Sequence, residues 1–116
     1  MRDADTTVEQ LREEVRRFIA ERAWERYHTP RNLAVSLVIE AAELLEHFQW
    51  RTEQEVEQYL EDPEHRDAVA EEVADVLAYL LSLADRLGLE LSEELVRKLR
   101  KNALKYPADQ WRGRAH

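Results

Sequence analysis

At 116 residues the chain has the length of one domain, enough for a core but short for two. Its formal net charge of -8, from 17 basic and 25 acidic residues, argues against a non-specific grip on DNA or RNA, which depends on neutralising phosphates with Lys and Arg. There is no cysteine, so neither a disulfide framework nor a thiolate nucleophile is available, as suits a reducing compartment. The opening MRDADTTVEQ has no apolar signal core and no segment reaches membrane-spanning length. The expectation is a soluble, cytoplasmic protein with no nucleic-acid or membrane partner.

With two glycines and three prolines, and with Ala, Leu, Glu and Arg abundant, helix is favoured almost everywhere. Thr7 and Gln10 make a capping box for a first helix reaching about Tyr27, before His28, Thr29 and Pro30 break the pattern. A second helix runs from about Asn32 to Gln49. Thr52 and Glu55 cap a short third helix to about Leu60. Asp62 and Pro63 open a long fourth helix that stops near Leu87 at Gly88. Ser92 is the expected cap of a fifth helix, which Pro107 ends after Tyr106, leaving residues 108–116 as a mobile tail. The chain therefore reads as a single all-α domain over 1–116, a bundle of four to five helices.

At roughly 100° per residue, Leu33, Leu37, Ala41, Leu44, Leu45 and Phe48 form one apolar stripe of the second helix, and Val35, Ile39 and Ala42 a smaller patch behind it. Between them lies a narrow polar strip of Ser36, Glu40, Glu43 and His47. On the fourth helix Val69, Val73, Val76, Leu80, Leu83 and Leu87 share one side, extended by Leu77, Leu81 and Ala84. Glu72, Asp75 and Tyr79 line its edge. Each helix thus carries two acids at i, i+3 spacing, which puts both carboxylates on one face.

A single Glu-x-x-Glu in so charged a chain is ordinarily a solvated face or a partner of nearby Arg residues. Two matched pairs beside apolar stripes differ. Brought together they would repel or take up a proton unless a cation lay between them, and hard oxygen ligands select Mg²⁺ or Mn²⁺. Lys98, Asn102 and Lys105 at i, i+4, i+7 spacing offer two cations and an amide to a polyphosphate. Trp24, Tyr27, His28, Trp50 and Tyr79 supply rings that could sandwich a base, or that simply pack.

Four runs occur in order: ERAWERYHTPRNL, IEAAELLEHFQW, EEVADVLAYLL and KLRKNALKYP. Together they resemble the MazG-type nucleoside triphosphate pyrophosphohydrolases, particularly the dCTP pyrophosphatase branch, over about Val8 to Pro107. The resemblance implies an all-α fold in which Glu40, Glu43, Glu72 and Asp75 bind Mg²⁺. It implies further that Trp24, His28, Trp50 and Tyr79 form the base and sugar pocket and that Lys98 and Asn102 face the phosphates. The implied reaction cleaves between the α and β phosphates, releasing a monophosphate and pyrophosphate, in tetramers whose sites lie between subunits. Two positions depart from the wider pattern. Ile39 precedes Glu40 where the broader family often has a second acid, and Val15 stands where the vertebrate dCTP enzymes carry a histidine near the base. The alternatives are a broad-specificity dNTP housecleaning enzyme and a non-catalytic helical oligomerisation module. A di-iron bundle fits less well, since it would want a Glu-x-x-His pair on each of two helices and His47 follows Glu43 by four residues.

Overall fold

A computed structural model of the chain describes residues 1–115; His116, the last residue of the expected tail, lies outside the described residues. Among them there are helices and no strands: α1 (Val8–Glu21), α2 (Pro30–Glu46), α3 (Glu53–Glu61), α4 (Pro63–Arg86), α5 (Leu91–Lys105) and a four-residue α6 (Ala108–Trp111), with 3-10 turns at Asp3–Asp5 and Glu25–Tyr27. No helix is long and apolar enough to cross a membrane.

The helix starts follow from their capping chemistry. Thr7 Oγ1 accepts from the Gln10 N–H at 3.1 Å while Gln10 Oε1 accepts from the Thr7 N–H at 2.7 Å, and Thr52 and Glu55 repeat the exchange at 3.2 Å in both directions. Asp62 accepts from the Glu64 N–H at 2.9 Å. The second helix begins earlier than expected because Thr29 caps it, accepting from the Asn32 N–H at 3.2 Å, and Pro30 takes the first helical position, where its missing N–H costs nothing. Ser92 is not a cap: it lies inside α5, whose N-cap is Glu90, without a side-chain bond.

The first helix also ends sooner than Tyr27. Ala23 adopts a left-handed φ of 53°, and the Ala23 and Trp24 N–H groups bond back to the Ala20 and Ile19 carbonyls at 3.0 and 3.1 Å. That is a Schellman closure made without glycine. Gly88, at φ 67°, closes α4 in the same way, with Gly88 and Leu89 bonded to Asp85 and Ala84 at 3.1 and 2.9 Å.

The main packing is α2 against α4, with α1 and α3 also lying on α4, and α5 standing largely clear. The fully buried hydrophobics are Leu33, Leu81 and Ala84. The line of α4 that is buried therefore runs through Leu81 and Ala84, whereas Val73, Leu80 and Leu87 of the expected main stripe are exposed. Val69, Val76 and Leu83 of the same stripe are half-buried. Arg12, 6% exposed, donates from Nη1 to the Leu89 carbonyl at 2.9 Å and so ties the α4–α5 turn to α1. Arg16 holds Asp85 through Nε at 3.0 Å and Nη2 at 2.6 Å.

Candidate active site

Packing α2 on α4 turns the two acidic edges toward each other. Carboxylate oxygens of Glu40, Glu43 and Glu72 lie within 4.8 Å of one another. Opposite oxygens of a six-coordinate Mg²⁺ are about 4.2 Å apart, so a divalent cation fits this trio with little adjustment. Asp75 lies outside the trio, though near enough for its charge to act on Glu40. Glu40 Oε2 and Glu72 Oε2 are buried with no hydrogen-bond partner among the described residues. Burial first, then the neighbouring Glu43 and Glu72 carboxyls and the charge of Asp75, push the Glu40 carboxyl up to about 7. The cluster therefore favours holding a proton on Glu40 while two of its oxygens stay without a partner, and a divalent cation held there would supply one.

The aromatics fall into two groups. Trp24 stacks on His28, with centroids 6.5 Å apart and planes 13° from parallel, and meets Phe18 edge-on at 6.0 Å. His28 Nδ1 lies 2.8 Å from the Trp24 carbonyl, which fixes the imidazole beside the start of α2. Tyr79 is half-buried one turn beyond Asp75 on α4. Trp50 stands apart, 91% exposed and with a left-handed φ of 68°. Lys98, Asn102 and Lys105 share α5, where both lysines are exposed and Lys105 Nζ sits 5.3 Å over the Tyr106 ring. Within one protomer, α5 makes too little contact with α2 and α4 to join their acids.

Two features escape a linear reading. His47, one turn past Glu43, is held through Nδ1 2.8 Å from the Tyr59 hydroxyl, and the Tyr59 ring has His65 stacked at 4.0 Å and the Arg51 guanidinium at 4.0 Å. This cluster braces the end of α2 against α3 and the start of α4, and so supports the acids one turn away. Nothing in the local sequence pairs residues 47, 59 and 65. The second feature is a cavity of about 260 Å³ between α1 and α4, bounded by Val15, Arg16, His28, Ser82 and Asp85. The spacing of Arg12 and Arg16, one turn apart on α1, is the one sequence signal that marks it.

The MazG-like family model matches residues 35–115. The chain is 40% identical over 111 residues to dCTP pyrophosphatase 1 of Mus musculus, across 96% of this chain and 65% of that protein. To dCTP pyrophosphatase 1 of Homo sapiens it is 42% identical over 104 residues, across 90% of this chain and 61% of that protein. It therefore spans a little under two thirds of the length of these curated relatives. Among solved structures, a pyrophosphatase from Archaeoglobus fulgidus superposes with a TM-score of 0.81 at 45% identity, covering 92% of this chain and 98% of that one. The all-α fold, the facing carboxylates and these matches together place the chain in the MazG-like family.

Proposed function

We propose that this protein is a Mg²⁺-dependent nucleoside triphosphate pyrophosphohydrolase that converts dCTP, or a modified dCTP, to the monophosphate and pyrophosphate. Mn²⁺ is the alternative occupant. The protein would work in the cytoplasm, in nucleotide pool control, as a homo-oligomer, a tetramer in preference to a dimer. The observation that carries this reading is the pair of buried, unbonded oxygens on Glu40 and Glu72, within a trio whose spacing suits a divalent cation. Leaving such atoms unpaired is costly, and a phosphate-bound cation is the partner this chemistry calls for. The names of the mouse and human relatives and of the archaeal structure support the reaction class.

Glu40, Glu43, Glu72 and Asp75 would hold the metal, which when bound neutralises the triphosphate and polarises the α-phosphoryl group. Glu40 or Glu43 orients the attacking water and takes its proton. Trp24 and His28 flank the base. Trp50 and Tyr79 pack against the sugar, leaving no space for a 2′-hydroxyl, so dCTP should be turned over faster than CTP. Lys98, Asn102 and Lys105 meet the phosphates. The exposure of Trp50 and the separation of α5 from α2 support a site shared between subunits.

The test is to incubate the protein with Mg²⁺ and each of the four dNTPs and four NTPs and to resolve the products by ion exchange. Monophosphate with pyrophosphate is expected, with dCTP leading; a diphosphate product would contradict attack at the α-phosphorus, and a flat ranking would favour a broad dNTP housecleaning role. Glu72→Gln should abolish turnover while the far-ultraviolet dichroism stays helical. The exposed apolar faces favour one rival reading, a non-catalytic assembly module. That rival predicts no thermal stabilisation by Mg²⁺ or Mn²⁺, where a metal cage must gain it by mass action.

A further inference from the structure

Along α4, Glu72, Asp75, Tyr79 and Ser82 follow one another at steps of three, four and three residues, and so lie on one face of the helix. Asp85 comes a further three residues on. From Asp75 to Ser82 the helix rises about 10 Å, comparable to the reach from a nucleotide's α-phosphate to its base. The cavity between α1 and α4 is lined by Ser82 and Asp85 at the far end of this face, and His28, stacked on Trp24, belongs to its wall. The wall is mixed: Arg12, Arg16, Glu25, His28 and Arg86 also line it, with Arg12 held by the Leu89 carbonyl and Arg16 by Asp85. Val15, Ile19 and Leu81 bring no hydrogen-bonding side chain. Ser82, 6% exposed, and Asp85 do.

Asp85 is held in one orientation and one charge state. Both Arg16 bonds fall on its Oδ1, at 3.0 and 2.6 Å, and Arg12 Nη1 stands 4.0 Å from the same atom. Arg16 keeps the carboxyl below its ordinary range. Among the described residues no donor is bonded to Oδ2. An ionised carboxylate accepts hydrogen bonds and cannot donate them, so the free oxygen suits a base that presents an N–H donor.

We propose that Asp85, with Ser82 beside it, reads the edge of the nucleobase and selects the amino-bearing pyrimidine, cytosine, over uracil and thymine. The inference rests on the nucleotide reading above and names the residues that set its base preference. Asp85 accepts from the exocyclic amine, in the way acidic side chains pair with that amine in nucleic-acid recognition, and the Ser82 hydroxyl donates to the ring nitrogen. Uracil and thymine would turn a carbonyl toward the carboxylate, bringing two acceptors together with no proton between them.

The experiment compares kcat/KM for dCTP, dUTP and dTTP in the wild type, Asp85→Asn and Ser82→Ala. In Asp85→Asn the dCTP to dUTP ratio should fall by roughly tenfold or more, the discrimination one well-placed polar pair supplies, since a carboxamide serves both edges. Ser82→Ala leaves the Arg16–Asp85 pair intact and, because a hydroxyl can donate to the cytosine ring nitrogen or accept from the uracil N–H, should lower kcat/KM while moving the ratio less than Asp85→Asn does. Damage to folding would depress all three substrates alike and leave the ratio where it was. Unchanged ratios in both variants, or a wild type indifferent to the base, overturn the proposal while leaving the pyrophosphohydrolase reading standing. Should no triphosphate be turned over, that reading fails separately, and calorimetric titration with dCMP and dUMP decides the cavity. Preferential dCMP binding lost in Asp85→Asn would uphold it, and equal or absent binding of the two would end it.

Discussion

Ala23 holds a left-handed backbone, φ 53°, at the end of α1, a conformation that costs a residue with a Cβ about 1–2 kcal/mol. Ala23→Gly should relieve that strain and, after the larger freedom glycine has when unfolded, leave a gain of about 0.5–1 kcal/mol. A higher midpoint in urea would show it; a lower one would mean that the Ala23 methyl packs better than the backbone is strained. Glu40 offers a second test at this scale. Its carboxyl sits at about 7 in the folded chain against 4.5 ordinarily, so between those values the folded state binds the extra proton. Stability without metal must therefore fall as pH rises from about 4.5 toward 7 and stay low above it. In the presence of EDTA, Glu40→Gln should raise the melting temperature at pH 8 and change it little near pH 5. A wild type whose advantage over the variant grows with pH would contradict the assignment. A metal held by these acids would reverse the sign, since its binding would expel the proton and gain strength as pH rises.

Among the helices, the contact of α2 with α4 does most to position the acids, and Leu33 of α2, 1% exposed, is the largest fully buried side chain. Leu33→Ala should cost about 2–5 kcal/mol. Because the same contact aligns Glu40 and Glu43 with Glu72, the thermal stabilisation given by Mn²⁺ should shrink along with the melting temperature. A variant that loses stability yet keeps the full metal-induced shift would show that the acids are aligned by something else, the His47–Tyr59–His65 bracing being the next candidate. The capping boxes at Thr7 and Thr52 and the Asp62–Pro63 start are legible in sequence because each is local, its donor and acceptor lying within three residues. The ends of α1 and the start of α5 are not: a left-handed alanine and a Glu90 N-cap without a side-chain bond break the residue preferences on which such reading relies.

At the scale of the whole molecule the single chain is more open than a folded chain of its size is expected to be, which is the basis for expecting self-association. Its accessible surface is 9538 Å², where a folded chain of this mass is expected to show about 6,600 Å². Its radius of gyration is 17.4 Å against about 13 Å expected. The excess, roughly 2,900 Å², is of the size buried in obligate homo-oligomers. Leu95, Leu99 and Leu104 of α5 and Val35, Val38 and Leu45 of α2 contribute to it. Charge is divided as well: from Arg97 onward the chain carries seven of its 17 basic residues and one acid, Asp109, so α5 is suited to lie on the acidic body of another copy. Light scattering on the eluting protein should give a multiple of 13.8 kDa, and Leu99→Glu should lower that multiple and the melting temperature together. A stable monomer at micromolar concentration would refute the expectation.

The amino-acid sequence by itself determined the five longer helices, most of their starts, and the two carboxylate pairs, because capping and i, i+3 spacing act over three or four residues and need no partner elsewhere; it missed α6, which forms at Ala108–Trp111 within the expected mobile tail. It also carried the four ordered runs by which the family is identified. What only the tertiary structure decided is how those pieces meet. Glu40, Glu43 and Glu72 converge while Asp75 stands just outside them, two carboxylate oxygens are left without partners, and the outer stripe of α4 faces solvent in the single protomer. Arg16 reaches Asp85 across 69 residues to line a cavity that neither helix forms alone. Periodicity says which residues share a face; which face meets which depends on the rotation and crossing of helices far apart in the chain, and that is settled by packing.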